Sequence, residues 1–274
     1  MSGKELRIKR ILSPFDGRTV IFPLDHGVSC GPIPGLERIE DAVGKGIRGG
    51  ADALVLHKGM LRCLESAERP LPGLIMHLSA STDMGPSPHR KVLTGSVEEA
   101  LRRGADAVSV HVNFGEAFES EMLKDLGAIG RSCSEWQMPL LVMTYVRGAM
   151  MDSSPSGTCL AHAARVAAEL GADLVKMPFP GDYDLLSGIT SGLPVPVVIA
   201  GGVPGRIDQT LERIENCLQA GADGVAAGRG VFQQEDPEAV LRAICDVVHR
   251  GISAEELIQR LQEESCARKN RPLS

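Results

Sequence analysis

Lys176 stands in the apolar run LVKMPF, from Leu174 to Phe179. An amine carried into such surroundings loses its hydration unless it is neutral or paired. Desolvation lowers its pKa and leaves a nucleophile. Such an amine attacks a ketone to give a protonated imine, an electron sink for breaking or making the adjacent carbon–carbon bond. The chemistry also needs groups that take and return protons, and Asp25 and Tyr145 are the candidates. Other readings of the same residues stay open. Lys176 could be ion-paired with a neighbouring acid, and Lys58, beside His57, is a rival nucleophile or a supporting charge. His57, His77 and His111 offer a second chemistry, because three imidazoles ending consecutive strands could hold a metal ion for a lyase or hydrolase. Against it, there is no H-E-x-x-H motif, no H-x-H on the first strand, and no carboxylate ligand at the strand ends apart from Asp25.

Two glycine pairs complete the set. IAGG (Ile199–Gly202) and AAGRG (Ala226–Gly230) each close an apolar run with residues whose backbone N–H groups can approach a phosphate. Gly201, Gly202 and Gly228 would cradle it, and Arg229 adds a bidentate donor. The same glycines could simply permit tight turns. A barrel that binds a phosphorylated metabolite without catalysis is therefore a third reading.

These residues need a scaffold that brings the ends of separate runs to one place. Eight short β-rich runs alternate with helical patterns: Thr19–Asp25, Ala53–Lys58, Leu74–Ser79, Ala107–Val112, Leu140–Tyr145, Leu174–Met177, Pro196–Gly201 and Gly224–Gly228. Runs such as VIFPL, LIMHL and PVVIA are continuously apolar, as parallel strands covered on both faces require. Their number and alternation predict an α/β fold of the (β/α)₈ TIM-barrel type in a single domain, with active groups at the C-terminal ends of the strands. Gly-Ala-Asp followed by a strand recurs from Gly50, Gly104, Gly171 and Gly221, ahead of the second, fourth, sixth and eighth strands. The glycine suits the left-handed cap of a helix, and the repeat reads either as a quarter-barrel unit or as a common helix-to-strand turn. Residues 1–18 read as an N-terminal extension, 19–250 as the barrel, and 251–274 as a C-terminal helix begun by Ser253, with a tail from Ala267. The stretch Ser79–Lys91 reads as a loop over the barrel mouth.

Composition removes other classes. With 274 residues, 43% of them hydrophobic, the chain can bury a sizeable core, and no stretch reaches the roughly 20 apolar residues of a membrane span. A net charge of −6 and only 3% aromatic residues argue against a nucleic-acid partner. The N-terminal residues do not read as a signal peptide, so a cytoplasmic protein with no membrane association is expected. Seven cysteines without any C-x-x-C pair read as reduced thiols. Apolar residues on the outer helices predict a homo-oligomer.

The motifs PLDHGVSCGP (Pro23–Pro32), LVLHKGMLR (Leu54–Arg62), AVSVHVNFG (Ala107–Gly115), MPLLVMTYVRG (Met138–Gly148), GADLVKMPFPGD (Gly171–Asp182), VVIAGG (Val197–Gly202) and GVAAGRGVFQ (Gly224–Gln233) follow one another along the chain. Together they resemble the 2-amino-3,7-dideoxy-D-threo-hept-6-ulosonate synthases of the archaeal-type class I fructose-bisphosphate aldolase superfamily, from about residue 6 to 260. The resemblance implies a Schiff-base lysine at Lys176, a proton-transferring aspartate at Asp25 and a proton-donating tyrosine at Tyr145. It implies substrate contacts from Asp25, His26, Gly27, Val28 and Ser29 and from Tyr145, Val146, Arg147 and Lys176. The phosphate would lie on Gly201, Gly202, Gly228 and Arg229, and His57, Lys58 and His111 would support the site. No cofactor and no metal are implied. The implied partners are a small phosphorylated ketose, 6-deoxy-5-ketofructose 1-phosphate, and an aldehyde acceptor, L-aspartate semialdehyde, on an alternative route to 3-dehydroquinate and aromatic amino acids. Met143 stands where the fructose-bisphosphate aldolases carry tryptophan, which favours the synthases over those aldolases. YVRG in place of the usual YPRG, and Met177-Pro178-Phe179 after the lysine, depart from the synthase pattern and keep a phospho-ketone aldolase or thiolase as the alternative.

Overall fold

Continuous apolar runs bounded by Gly, Pro and Asp form strands when helices cover both sheet faces. The computed structural model describes residues 2–67, 70–147, 157–201 and 205–269. Its strands are β1 (Thr19–Pro23), β2 (Ala53–His57), β3 (Gly73–His77), β4 (Ser79–Ala80), β5 (Val92–Leu93), β6 (Ala107–Phe114), β7 (Leu140–Val146), β8 (Leu174–Met177), β9 (Val197–Ala200) and β10 (Gly224–Ala226). Eight of them close into a parallel barrel in the order β1-β10-β9-β8-β7-β6-β3-β2, the expected fold. β4 and β5 stand apart as a small antiparallel pair, Ser79 opposite Leu93 and Ala80 opposite Val92, so the stretch expected to be plain loop is pinned at both ends.

The helices are α1 (Gly3–Ile8), α2 (Gly27–Cys30), α3 (Ile39–Arg48), α4 (Val97–Arg102), α5 (Glu119–Glu135), α6 (Gly157–Glu169), α7 (Tyr183–Gly192), α8 (Ile207–Gln219), α9 (Arg229–Phe232), α10 (Pro237–Cys245) and α11 (Ala254–Lys269). A 3₁₀ helix, Lys58–Leu64, follows β2. α10 runs on into a π-helical turn, Asp246–Arg250, and stops at Gly251 with φ 64°. The Ser253 hydroxyl accepts from Glu256 N at 3.3 Å ahead of α11, which continues through Lys269, beyond the point where a tail was expected. No helix among the described residues is long and apolar enough to cross a membrane.

Alternation along each strand sorts side chains into two layers. Val20, Phe22, Leu54, Leu56, Val108, Val142 and Val175 pack outward under the helices. Ile21, Ala53, Val55, Ile75, Ala107, Leu141, Met143, Leu174, Val198 and Ala226 fill the barrel interior. The N-terminal extension closes the floor of this interior: Ile11 is 1% exposed within the inner cluster, with Ile8 and Leu12 packed against it. Burying such a side chain contributes roughly 1.5–3 kcal/mol, enough to help order a segment that pairs with no strand.

The Gly-Ala-Asp repeat has one geometry at all four sites. Gly50, Gly104, Gly171 and Gly221 have φ of 86°, 76°, 104° and 90°, the left-handed conformation that glycine adopts without a Cβ penalty. The alanine N–H then bonds back five residues, as Ala51 N to Gly46 O at 3.1 Å and Ala172 N to Ala167 O at 3.1 Å. The aspartate carboxylate accepts the first or second N–H of the neighbouring strand: Val20 N on Asp52 at 2.6 Å, Leu74 N on Asp106 at 2.9 Å, Leu140 N on Asp173 at 2.9 Å and Val197 N on Asp223 at 2.8 Å. The repeat is thus a clamp across the N-terminal end of the barrel, used once per strand pair. Basic side chains reinforce it, with Lys4 on Asp173 and Arg10 on Asp106, both at 2.8 Å.

Candidate active site

Continuing the inner alternation past the apolar layers leads to the site. On β1 the inward series Ile21 and Pro23 continues to Asp25, and on β2 Ala53 and Val55 lead to His57. On β3 Ile75 leads to His77, on β6 Ala107 leads to Ser109, His111 and Asn113, on β7 Leu141 and Met143 lead to Tyr145, and on β8 Leu174 leads to Lys176. The inner face therefore changes from aliphatic to polar at one level, toward the C-terminal ends of the strands.

Lys176 is 7% exposed and makes no ion pair among the described residues, so the paired-acid reading finds no partner at contact distance. β7 neighbours it in register, Met143 opposite Lys176, and the Thr144 hydroxyl donates to Lys176 O at 3.2 Å. The acid that shares its surroundings is Asp25. Burial works upward on the Asp25 carboxyl, but the positive charges of His77, His26, Lys176 and His57, the imidazoles being protonated in the acid range where a carboxyl titrates, together outweigh it and hold the group well below the usual carboxylate range. Asp25 Oδ1 lies 3.7 Å from His26 Nδ1 and Oδ2 lies 3.8 Å from His77 Nε2. These separations are too long for hydrogen bonds, so the carboxylate keeps acceptor capacity toward the barrel centre.

The histidines are neutral walls at neutral pH. Burial pulls the His77 imidazole down to about 3, and its Nδ1 is 2.7 Å from the buried Ser109 hydroxyl. Burial lowers His57 as well, and its ring meets that of His77 edge-on at 5.1 Å. His111 is lowered well below its ordinary value by burial and by the charges of Lys91, His77 and Arg147. Its Nε2 lies 2.9 Å from Asn113 Oδ1, and its ring stacks on Tyr145 at 4.8 Å. Among the described residues no group of three or more His, Cys, Asp or Glu is arranged to hold a metal ion.

The remaining expected residues divide. His26 is lowered by burial, packs edge-on to Phe232 at 5.3 Å, and leaves its buried Nδ1 without a hydrogen-bond partner among the described residues. Ser29 donates from its hydroxyl to Ser81 O at 3.1 Å, while Gly27 and Val28 lie exposed on α2 at the mouth. The Arg147 guanidinium covers the Tyr145 ring at 4.7 Å. Val146, of opposite parity, is buried in the outer layer and does not line the interior. Lys58 also leaves the site, because it opens the 3₁₀ helix and pairs with Glu99 on α4 at 3.2 Å.

On the opposite flank of β8, Gly201 N donates to Ala226 O at 2.9 Å, which ties the ends of β9 and β10 together. A Cβ at Gly228 would stand 2.9 Å from His26 Cε1 and 3.1 Å from Pro23 Cγ, so only glycine lets this turn approach β1 so closely. Arg229 begins α9 and is exposed toward the mouth. Gly202 lies outside the described residues.

Sequence reasoning missed Lys91 and Ser81. Both sit where the β4–β5 pairing folds the segment back over the mouth, and Lys91 Nζ donates to Ser81 Oγ. A strand of two residues leaves no periodic signal.

Taken together, a buried amine, a carboxylate held ionised beside it and a phenol on the adjacent strand can form an imine and move protons about it. Residues 19–234 match the model of the DeoC/LacD family aldolases. The chain is 42% identical over 251 residues, 91% of either chain, to a 2-amino-4,5-dihydroxy-6-oxo-7-(phosphonooxy)heptanoate synthase of Streptomyces griseus. It is 38% identical over 259 residues, 94% of this chain and 96% of the other, to a 2-amino-3,7-dideoxy-D-threo-hept-6-ulosonate synthase of Archaeoglobus fulgidus. Among solved structures, an archaeal fructose-1,6-bisphosphate aldolase whose catalytic lysine is covalently bound to the carbinolamine intermediate of its substrate superposes with a TM-score of 0.81 at 30% identity. That superposition covers 90% of this chain and 99% of the aldolase.

Proposed function

The chain belongs to the DeoC/LacD aldolase family, and from that premise we propose that it is a lysine Schiff-base transaldolase whose acceptor is L-aspartate semialdehyde and whose product is 2-amino-3,7-dideoxy-D-threo-hept-6-ulosonate. The observation that carries the reading is Lys176, buried on the inner face of β8 without an ion pair among the described residues and with the ionised Asp25 among its neighbours.

In the proposed mechanism Lys176 Nζ attacks the C5 ketone of 6-deoxy-5-ketofructose 1-phosphate, the one remote from the phosphate, and loss of water from the carbinolamine leaves a protonated imine. Asp25 takes the proton of the hydroxyl whose carbon becomes the departing aldehyde. The carbon–carbon bond breaks, and its electron pair flows into the imine to give an enamine. The enamine carbon then adds to the aldehyde of aspartate semialdehyde, and Tyr145 donates the proton that the new alkoxide needs. Water hydrolyses the imine and returns the amine. The donor's phosphate rests against Gly201, Gly202, Gly228 and Arg229.

A second donor is favoured by the Streptomyces griseus relative, whose named product keeps a phosphate on carbon 7. In both product names a 6-ketone with a hydroxyl at carbon 4 is what aldol joining of carbons 4 and 5 produces, so the amino-acid half is common and only the ketone half differs. Borohydride trapping and peptide mapping separate the donors. An adduct on Lys176 with 6-deoxy-5-ketofructose 1-phosphate alone supports the transaldolase, one with dihydroxyacetone phosphate alone supports the phosphorylated product, and one with fructose 1,6-bisphosphate alone assigns the bisphosphate aldolase reaction. No adduct with any of them removes the imine reading.

A homo-oligomer in the cytoplasm is part of the proposal. Exposed Leu6, Phe15 and Trp136 support the oligomer, which light scattering of the purified chain tests.

A further inference from the structure

Three basic residues follow one another at the end of the mouth segment, and they are not treated alike. His89 Nδ1 meets Glu116 Oε1 at 2.6 Å, and Arg90 pairs with Glu121 at 2.8 Å while lying over the Phe118 ring. Lys91, half-buried, has no carboxylate within ion-pair distance among the described residues, and its ammonium donates only to the Ser81 hydroxyl. Asn113 Nδ2 donates to His89 O at 2.7 Å, and Asn113 stands opposite Tyr145 in the β6–β7 register, so the segment is fastened beside the end of β7. Arg147, two residues beyond Tyr145, likewise has no ion pair among the described residues, and its guanidinium lies on the Tyr145 ring. Burial and the repulsion of Arg147 both lower the Lys91 ammonium, while Asp25 and Asp83 pull it up. Two cations in one corner, neither of them in an ion pair among the described residues, are arranged for an anion that arrives from solution.

One acid belongs to the same corner. Asp83 N donates to Ser29 O at 3.0 Å, which fixes this exposed residue over α2, at the other end of the segment that carries Lys91. A pair of cations with one carboxylate nearby matches the charges of an α-amino acid. It suits a dianionic phosphate less well, because the charges of Asp25 and Asp83 already act on Lys91. The glycine turn and Arg229 lie across β8, on the other flank of Lys176.

We infer that Lys91 and Arg147 seat the carboxylate of the acceptor aldehyde, with Asp83 receiving its ammonium group, so that this corner selects an amino-acid aldehyde over a simple one. The inference rests on the Schiff-base reading above. The segment Ser81–Lys91 then acts as the acceptor's specificity element, separate from the groups that handle the donor.

The test compares kcat/KM for aspartate semialdehyde with kcat/KM for propanal, using the same donor, in the wild-type chain and in Lys91→Gln and Lys91→Arg. The expected result is a preference for aspartate semialdehyde that falls about tenfold or more in Lys91→Gln and is substantially regained in Lys91→Arg. A poorly folded variant would lower both values and leave their ratio alone. An unchanged ratio in the wild-type and Gln chains overturns the inference. So does a rise in the donor concentration needed for borohydride trapping in Lys91→Gln, which would assign Lys91 to the donor's phosphate. Absence of any adduct in the wild-type chain removes the Schiff-base reading itself, whereas an adduct with an unchanged ratio removes only the acceptor site.

Discussion

The guanidinium of Arg147 lies 4.7 Å from the centroid of the Tyr145 ring, two residues back along β7, and the His111 ring stacks on the same phenol at 4.8 Å. Among the described residues the ring is held by its neighbours rather than by its hydroxyl, so the hydroxyl can be removed without moving it. Tyr145→Phe is expected to keep the borohydride-trapped adduct on Lys176 while turnover falls about 100-fold or more, the usual weight of a general acid or base. Single-turnover trapping beside steady-state kinetics checks this. Loss of the adduct together with turnover would give Tyr145 an earlier role.

Lys176→Met replaces a buried amine by an unbranched apolar side chain of similar length. Carbon–carbon cleavage is expected to fall to background, since no imine can form. The melting temperature should hold or rise, because the interior loses a polar group it must keep poorly hydrated. Kinetics and thermal melts of the same preparation give both numbers, and residual activity above a thousandth of wild type would count against the mechanism.

Gly228→Ala places a methyl group 2.9 Å from His26 Cε1 and 3.1 Å from Pro23 Cγ. Relief requires the His26 ring to turn or the β10 turn to withdraw, either of which displaces the proposed phosphate seat. Half-saturation of adduct formation should need about tenfold more donor, with the preference among acceptor aldehydes unaltered. Trapping titrations on the variant decide the matter.

Asp106 accepts from Leu74 N and from Arg10 at the barrel floor, and it is buried. Asp106→Ala strands a strand N–H and is expected to cost about 1.5–3 kcal/mol in denaturant unfolding. The kcat of the folded variant should be unaffected, because the clamp lies at the end of the barrel away from Lys176. A proportionate loss of kcat would mean that floor and mouth are coupled.

His249 bridges Asp16 at 2.8 Å and Asp52 at 2.9 Å, and these hydrogen bonds, offset in part by burial, raise its pKa. A raised folded-state value means that the stabilisation is complete below about 6.5, the ordinary imidazole value, and disappears as pH climbs through the higher folded value. Unfolding free energy should therefore decline on going from pH 6 to pH 9, by about 1–2 kcal/mol for such charge-assisted bonds. His249→Gln should flatten that part of the profile.

Much of the site was legible because the barrel imposes a period of two. Lys176 follows Leu174 on the inner face as Tyr145 follows Met143, and the runs that carry them stand out by apolar composition. The Gly-Ala-Asp repeat marked the strand starts, although nothing in its spacing told that each carboxylate reaches sideways to the next strand. The same alternation, applied strictly, separates Val146 from its neighbours, because the residue between two inward side chains points out. Lys58 was drawn toward the site by adjacency to His57, yet the chain leaves β2 at that residue in a 3₁₀ turn and the ammonium finds Glu99. Lys91 escaped notice because its position depends on a two-residue pairing and on the Asn113 side chain, contacts that have no local signature.

Ile8, Ile11 and Leu12 close the floor, and the aliphatic layers above them fill the barrel interior. Among the described residues the chamber around Lys176 thus opens at the C-terminal ends of the strands. In a transaldol exchange the fragment released from the donor must depart by the same opening through which the acceptor arrives, so the two occupy the chamber in turn. Initial-rate plots at several fixed acceptor concentrations should accordingly be parallel lines, a kinetic order that follows from a plug at the far end of the molecule.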